Sequence, residues 1–394
     1  MSIDLLCVNG VKCSSVSSGI KNNNSLDLSL ISLIDGTNTA AVFTQNIFCA
    51  APVLVAKNHL NSNIKALLIN SGNANAGTGK QGLEDSYKSC EIIAEELSIK
   101  PEQVLPFSTG VIGQLLPVES IEKSANKLVN SLTKEGLGNV AKGILTTDLV
   151  EKYYSVSFKV DGVAVNLSGV AKGSGMIRPN MATMLSFIVT DIGASQDELQ
   201  QCLDISVNQS FNRITVDGDT STNDACTLSA TNQSGILYSQ CKEEFQKALN
   251  ELTRNLAHKI VKDGEGSTKF VEVSVSGLES NEDCLEVAYT VAHSPLVKTA
   301  LFASDANWGR ILAAVGRARV KGISFENINI SLNEVQIISS GEISDQYSEE
   351  AGSREMEKPE ITIRIDLGGF KTNESVWTTD LSYEYVKINA EYRS

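Results

Sequence analysis

Short runs of strand-forming residues alternate with amphipathic helical stripes along the whole chain, which confines it to the mixed α/β or α+β classes. Leu28 to Leu33, Val53 to Ala56 and Ala66 to Asn70 are strand-like. Leu83, Tyr87, Cys90, Ala94 and Leu97 recur at helical spacing before the stop at Pro101, and Ile121, Ala125, Leu128 and Leu132 mark a second helix. Tyr153 to Val160 and Val163 to Leu167 read as a hairpin turning at Asp161-Gly162, a pair that accepts the positive φ of a two-residue turn. Met184 to Thr190 carries no charge and reads as a strand buried on both faces. Phe245, Leu249, Leu252, Leu256 and Ile260 form the clearest helical stripe, and Phe270, Val271, Val273 and Val275 another strand. Residues 277–283 read as an exposed connection, Trp308 to Arg319 as a helix, and Ile361 to Leu367 as a strand. The polar segment 339–360 reads as a flexible surface loop, and Tyr383 to Ile388 as an alternating strand.

At 394 residues the length suggests two or three domains of about 150 residues each. Thirty-three basic against 47 acidic residues give a net charge of −14, which argues against nucleic acid and against an anionic membrane surface. The opening MSIDLLCVNG places Asp4 where a secretion signal carries positive charge. The longest uncharged stretch, Gly36 to Ala56, holds too many polar groups for a lipid-facing helix. Eight cysteines are scattered without a CxxC pair, as expected of reduced thiols in a cytoplasmic protein.

Most familiar chemistries fail on residue type. The three histidines, His59, His258 and His293, have no metal-ligand spacing and no cysteine cluster beside them, so no metal is expected; His258 falls on the polar side of its helix. No GxSxG elbow is present. Gly77 to Gly82 matches GxGxxG, yet Ser71 to Ala76 separate it from the preceding strand, and a glycine-rich turn is the plainer reading. Asp217 to Asp224 begins like a calcium loop, but Thr222 and Leu228 occupy the positions that need glycine and a carboxylate. A capped turn leading into a helix accounts for it equally well.

The segment Lys172 to Leu185, KGSGMIRPNMATML, allows two readings. One is a loop entering a strand. In the other, the peptide bond between Ala182 and Thr183 is cut, and Thr183 gains a free α-amine that activates its own hydroxyl. The reference pKa of such an amine is about 7.7–8.0, close to working pH.

At this segment the chain resembles the ornithine acetyltransferases, or glutamate N-acetyltransferases, of arginine biosynthesis. The likeness extends through NSGNANAGTG (70–79), STGVIG (108–113), LTTD (145–148), FNRITVDGDTSTND (211–224), DGEGSTKFVEV (263–273), SDANWGRILAAVG (304–316) and the ending YVKINAEYRS. It implies a layered α-β-β-α sandwich with a smaller C-terminal α/β domain at 280–394, and self-cleavage into chains 1–182 and 183–394. Those chains would associate as a heterotetramer of two copies of each. The resemblance makes Thr183 the nucleophile, Thr109 and Gly110 the oxyanion hole, and Thr146, Lys172, Thr183, Glu265, Asn389 and Ser394 the substrate-binding set. Lys172 suits an amino-acid carboxylate and Glu265 an α-ammonium. Whether Thr146 or its neighbour Thr147 points inward stays open.

The implied activity moves acetyl from N2-acetylornithine to glutamate without cofactor or metal, and some members of the family also use acetyl-CoA. Gln45, Ile47, Cys49 and Arg178 depart from the family pattern. The alternatives are an aminopeptidase of the same self-cleaving superfamily and a nucleotide-binding protein built on Gly77 to Gly82.

Overall fold

The computed structural model describes residues 5–178 and 184–391. They fall into two compact units: Met1–Asn212 with Asp219–Ile260, and Arg213–Gly218 with Val261–Ser394.

The first unit contains strands β1 (Val11–Val16), β2 (Leu28–Leu33), β3 (Asn38–Phe43), β4 (Ala66–Asn73), β5 (Val104–Val111), β6 (Lys152–Val160), β7 (Val163–Lys172), β8 (Leu185–Thr190) and β9 (Ala225–Ala230). Its helices are α1 (Ala51–His59), α2 (Gly79–Leu97), α3 (Val118–Asn130), α4 (Leu137–Gly143), α5 (Gln196–Asn208) and most of α6 (Lys242–Lys262). The strands make two sheets, ordered β1-β2-β4-β5 and β3-β9-β8-β7-β6. Alternation along each strand decides the layering. Odd-numbered Ile31, Leu67, Ile69, Leu105 and Phe107 of the first sheet share one core with Val170, Leu185, Phe187 and Val189 of the second. Phe107 and Phe187 meet edge to face across it, 5.0 Å between ring centres. Even-numbered Leu28, Leu30, Ala66, Leu68 and Val104 face outward onto Cys90 and Ile93 of α2 and Ile121, Ala125 and Leu128 of α3. Behind the second sheet, Leu252 and Leu256 of α6 reach the backbone at Gly169 so closely that a Cβ there would lie 2.9 Å from Leu252. The order is helix, sheet, sheet, helix, as the resemblance implied.

In the second unit, β10 (Phe270–Ser276), β11 (Asn329–Leu332), β12 (Val335–Ser339), β13 (Glu342–Ile343), β14 (Glu360–Asp366) and β15 (Asn373–Thr379) form one sheet, ordered β13-β12-β11-β14-β10-β15. Val271, Val273 and Val275 pack with Ile361, Ile363 and Ile365 against α7 (Asn281–Ala292) and α9 (Trp308–Gly316). Helices α8 (Pro295–Phe302), α10 (Glu349–Met356) and α11 (Tyr383–Ala390) complete it.

The hairpin turns at Asp161 (φ +49) and Gly162 (φ +83), β8 is buried along its whole length, and the α6 stripe is fully enclosed. All eight cysteines are free thiols, six of them buried. Five local readings need correction. Val53 to Ala56 lies in α1, where Pro52 in the first turn and the extended Ala50 start a helix that β-propensity alone would not predict. The segment 339–360 holds β13 and α10, the latter capped by Ser348. Tyr383 to Ile388 is helical because the Ser382 hydroxyl accepts from the Tyr385 amide, and the cap overrides the apparent alternation. The acidic run ending at Asp224 enters strand β9 instead of a helix. His258, expected to be solvated, is half-buried. The connection at 277–283 lies between β10 and α7, inside the second unit, whose main segment begins at Val261.

Candidate active site

The ends of β4 and β5 are bound together by the asparagines of NSGNAN. Asn70 accepts from Ser108 at 2.5 Å and donates to the Asn73 carbonyl at 2.8 Å. Asn73 in turn donates to the carbonyls of Gln114 and Leu115, and Asn223 donates to those of Ala74 and Ser108. The close approach requires glycine: Gly110 has φ +138°, and a Cβ there would lie 2.3 Å from the Gly72 carbonyl carbon. Thr109 and Gly110 are thereby fixed at the C-terminal end of β5, beside an irregularity in the β4–β5 register.

Lys172 ends β7 and is only 9% exposed. Its Nζ donates to Thr146 Oγ1 at 2.8 Å and to Thr109 Oγ1 at 3.3 Å, with Asp148 Oδ2 at 3.9 Å. Asp148 also accepts from Lys152 Nζ at 2.6 Å, from the Gly173 amide at 2.7 Å and from the Thr146 amide at 3.0 Å. Neither the Asp148 nor the Lys152 side chain exposes any area. Burial pushes the Asp148 carboxyl up, but Lys172 and Lys152, with the hydrogen bonds, outweigh it and hold the group well below the usual carboxylate range. Lys21 approaches the same loop, donating to the Leu145 carbonyl at 2.7 Å, and burial lowers its pKa. Thr147 shares a hydrogen bond with Ser174 at 2.8 Å. Of the adjacent pair, Thr146 is the one that meets Lys172.

Glu265 and Asn389 belong to the second unit. Glu265 is 8% exposed and accepts from Asn389 Nδ2 at 2.8 Å. Gly266 (φ +66°) is pressed against the start of α11, where a Cβ would lie 2.5 Å from the Tyr385 amide nitrogen, and Ser382 donates to the Gly266 carbonyl at 2.7 Å. Tyr385 donates to Asp217 at 3.3 Å. The DGEG turn and the C-terminal helix therefore position Glu265 and Asn389 jointly.

The model of the ArgJ family matches residues 12–394. The chain belongs to that family. The arginine biosynthesis bifunctional protein ArgJ of Pseudomonas syringae pv. tomato is 49% identical over 387 residues, covering 96% of this chain and 95% of that protein. The protein of the same name from Pseudomonas fluorescens is 48% identical, with 98% and 97% covered. A solved ornithine acetyltransferase from Mycobacterium tuberculosis, complexed with ornithine, is 30% identical over 45% of this chain and 93% of that chain, with a TM-score of 0.39.

For this ArgJ family member, the residues expected to act together group as follows. Thr109, Thr146 and Lys172 are in direct hydrogen-bond contact, with Gly110 next to Thr109. Glu265 and Asn389 form a second contact pair. Ala182, Thr183 and Ser394 lie outside the described residues. Sequence reasoning missed Asp148 and Lys152. Asp148 closes the LTTD motif, a signal that was available, whereas nothing in the sequence around Lys152 marks a lysine with no exposed area. The Gly77 to Gly82 turn is filled by its own chain. Thr78 donates to Asn75, Asn75 donates to the Gly82 carbonyl, and a Cβ at Gly82 would overlap Thr78 Oγ1 at 1.8 Å. It is a structural turn that starts α2.

Proposed function

We propose that this chain is a glutamate N-acetyltransferase of arginine biosynthesis, moving the acetyl group of N2-acetylornithine to glutamate through an acetyl-Thr183 intermediate. The observation that carries the reading is Lys172, a nearly enclosed cation held between two threonine hydroxyls in a chain of the ArgJ family.

The chemistry follows from the side chains. Cleavage between Ala182 and Thr183 frees an α-amine that takes the Thr183 hydroxyl proton as the oxygen attacks the acetyl carbonyl. Thr109 and the Gly110 amide stabilise the oxyanion, whose charge exists only at the tetrahedral stage. Collapse breaks the carbon–nitrogen bond, the Thr183 ammonium protonates the departing α-nitrogen, and ornithine leaves. The glutamate amine then attacks the acetyl ester and regenerates Thr183. Lys172 pairs with the substrate carboxylate. Because the α-nitrogen of acetylornithine is acylated, the ammonium for Glu265 and Asn389 is the side-chain one. Every step uses groups of the chain and its substrates, so the reading requires no metal or cofactor; acetyl-CoA would be an alternative donor. Two copies of each cleaved chain would form the working enzyme, in the cytoplasm.

The test mixes purified protein with N2-acetylornithine and glutamate in the absence of nucleotide and coenzyme A. Production of ornithine and N-acetylglutamate in equal amounts is expected. Release of free acetate without transfer would indicate hydrolysis instead, and no turnover would refute the reading.

A further inference from the structure

The proposed mechanism assigns no role to Asp148 or Lys152, although their buried pair meets Lys172 directly. An ammonium donates and never accepts, so the Lys172–Thr109 contact has one polarity: Nζ–H points at Thr109 Oγ1, and the Thr109 hydroxyl hydrogen is left for another acceptor. That is the orientation an oxyanion requires. Asp148 governs it by two routes. Oδ2 faces Lys172 Nζ at 3.9 Å and takes the Thr146 amide, while Oδ1 takes the amide of Gly173, the residue directly after Lys172. The same carboxylate thus grips the backbone and the charge of one lysine. Lys152 neutralises Asp148 from the other side at 2.6 Å, so a wholly buried carboxylate stays ionised beside Lys172.

We propose that Asp148 is a positioning residue: with Lys152 behind it, its carboxylate fixes the Lys172 ammonium so that the Thr109 hydroxyl hydrogen stays free for the developing oxyanion. This rests on the acetyl-transfer reading for its consequence, though not for its geometry. Among the described residues, the charged groups bearing on Lys172 are Asp148, itself paired with Lys152, and Lys21, with Asp27 beside Lys21. Of these, Asp148 is the anion in ion-pair range.

Breaking a buried pair by removing one partner leaves an uncompensated charge, whereas neutralising both is often tolerated. The variants are therefore Asp148→Asn, Lys152→Met, the double Asp148→Asn/Lys152→Met, Lys172→Met, and Asp148→Asn/Lys172→Met. Each is measured for self-cleavage on a denaturing gel, thermal midpoint, kcat and KM. The double Asp148→Asn/Lys152→Met is expected to be cleaved and to recover most of the midpoint lost by the single variants. Its kcat should still be about 10²-fold below wild type, the scale of one lost oxyanion donor, with a smaller change in KM. A purely structural pair predicts that activity returns with stability, and a double variant with near-normal kcat overturns the proposal. The midpoints test its geometric premise, the Asp148–Lys172 interaction, without any assay of transfer. Asp148→Asn and Lys172→Met must couple, the double variant losing less than the two singles combined. Strict additivity overturns the proposal even if the wild-type protein transfers no acetyl group, an outcome that would separately refute the functional reading.

Discussion

Asn389 of α11 donates its side-chain amide to Glu265 at 2.8 Å, joining the last turn of the C-terminal helix to the DGEG turn. Glu265 is buried while Asn389 is exposed, so the contact can be cut with little loss of packing. Asn389→Ala is expected to raise KM for acetylornithine by about five- to thirtyfold, the scale of 1–2 kcal/mol for one hydrogen-bonding group. Self-cleavage should be intact. An unchanged KM would remove Asn389 from the substrate site.

Gly110→Ala places a Cβ 2.3 Å from the Gly72 carbonyl carbon at a backbone angle, φ +138°, that side chains rarely adopt. Strain and overpacking together should cost at least about 3 kcal/mol. A thermal midpoint equal to wild type would mean that β4 yields freely at this point.

Thr146 and Thr147 are adjacent but differently engaged, Thr146 with Lys172 and Thr147 with Ser174. Thr146→Val is expected to weaken substrate binding more than Thr147→Val, read as KM for each amino acid. The reverse order would place Thr147 in the site.

These residues also mark how far the sequence could be read. Periodicity made individual elements legible, the strand Leu28 to Leu33 and the helical stripe from Phe245 to Ile260 among them, whereas their layering was implied by the motif likeness. Elements set by a single cap or proline were not legible that way. Pro52 and Ser382 turned two strand-like runs into helices. Motif likeness named Thr109, Thr146 and Lys172, and the fold brings them into contact. Lys152 was invisible because burial of a charge depends on a partner, Asp148, whose role only three-dimensional contact reveals.

Lys298 offers a test through pH. It is buried, donates to Thr378 at 3.1 Å and to the Thr379 carbonyl, and burial lowers its pKa from 10.5 to about 8 against the pull of Asp380 and Asp217. Between about pH 8 and 10.5 the unfolded chain therefore binds more protons at this lysine than the folded one, so its contribution to stability rises with pH across that window. Lys298→Met should remove the rise. Thermal midpoints compared from pH 8 to 10 should show a wild-type profile that climbs relative to the variant; parallel profiles would mean that Lys298 stays charged throughout.

Mass spectrometry after brief exposure to N2-acetylornithine, without glutamate, tests the central claim most directly. The account predicts two chains, with a peptide beginning at Thr183 that carries one acetyl group, lost on adding glutamate. An intact 394-residue chain that still transfers acetyl, or an active enzyme whose Thr183 is never acetylated, would contradict it.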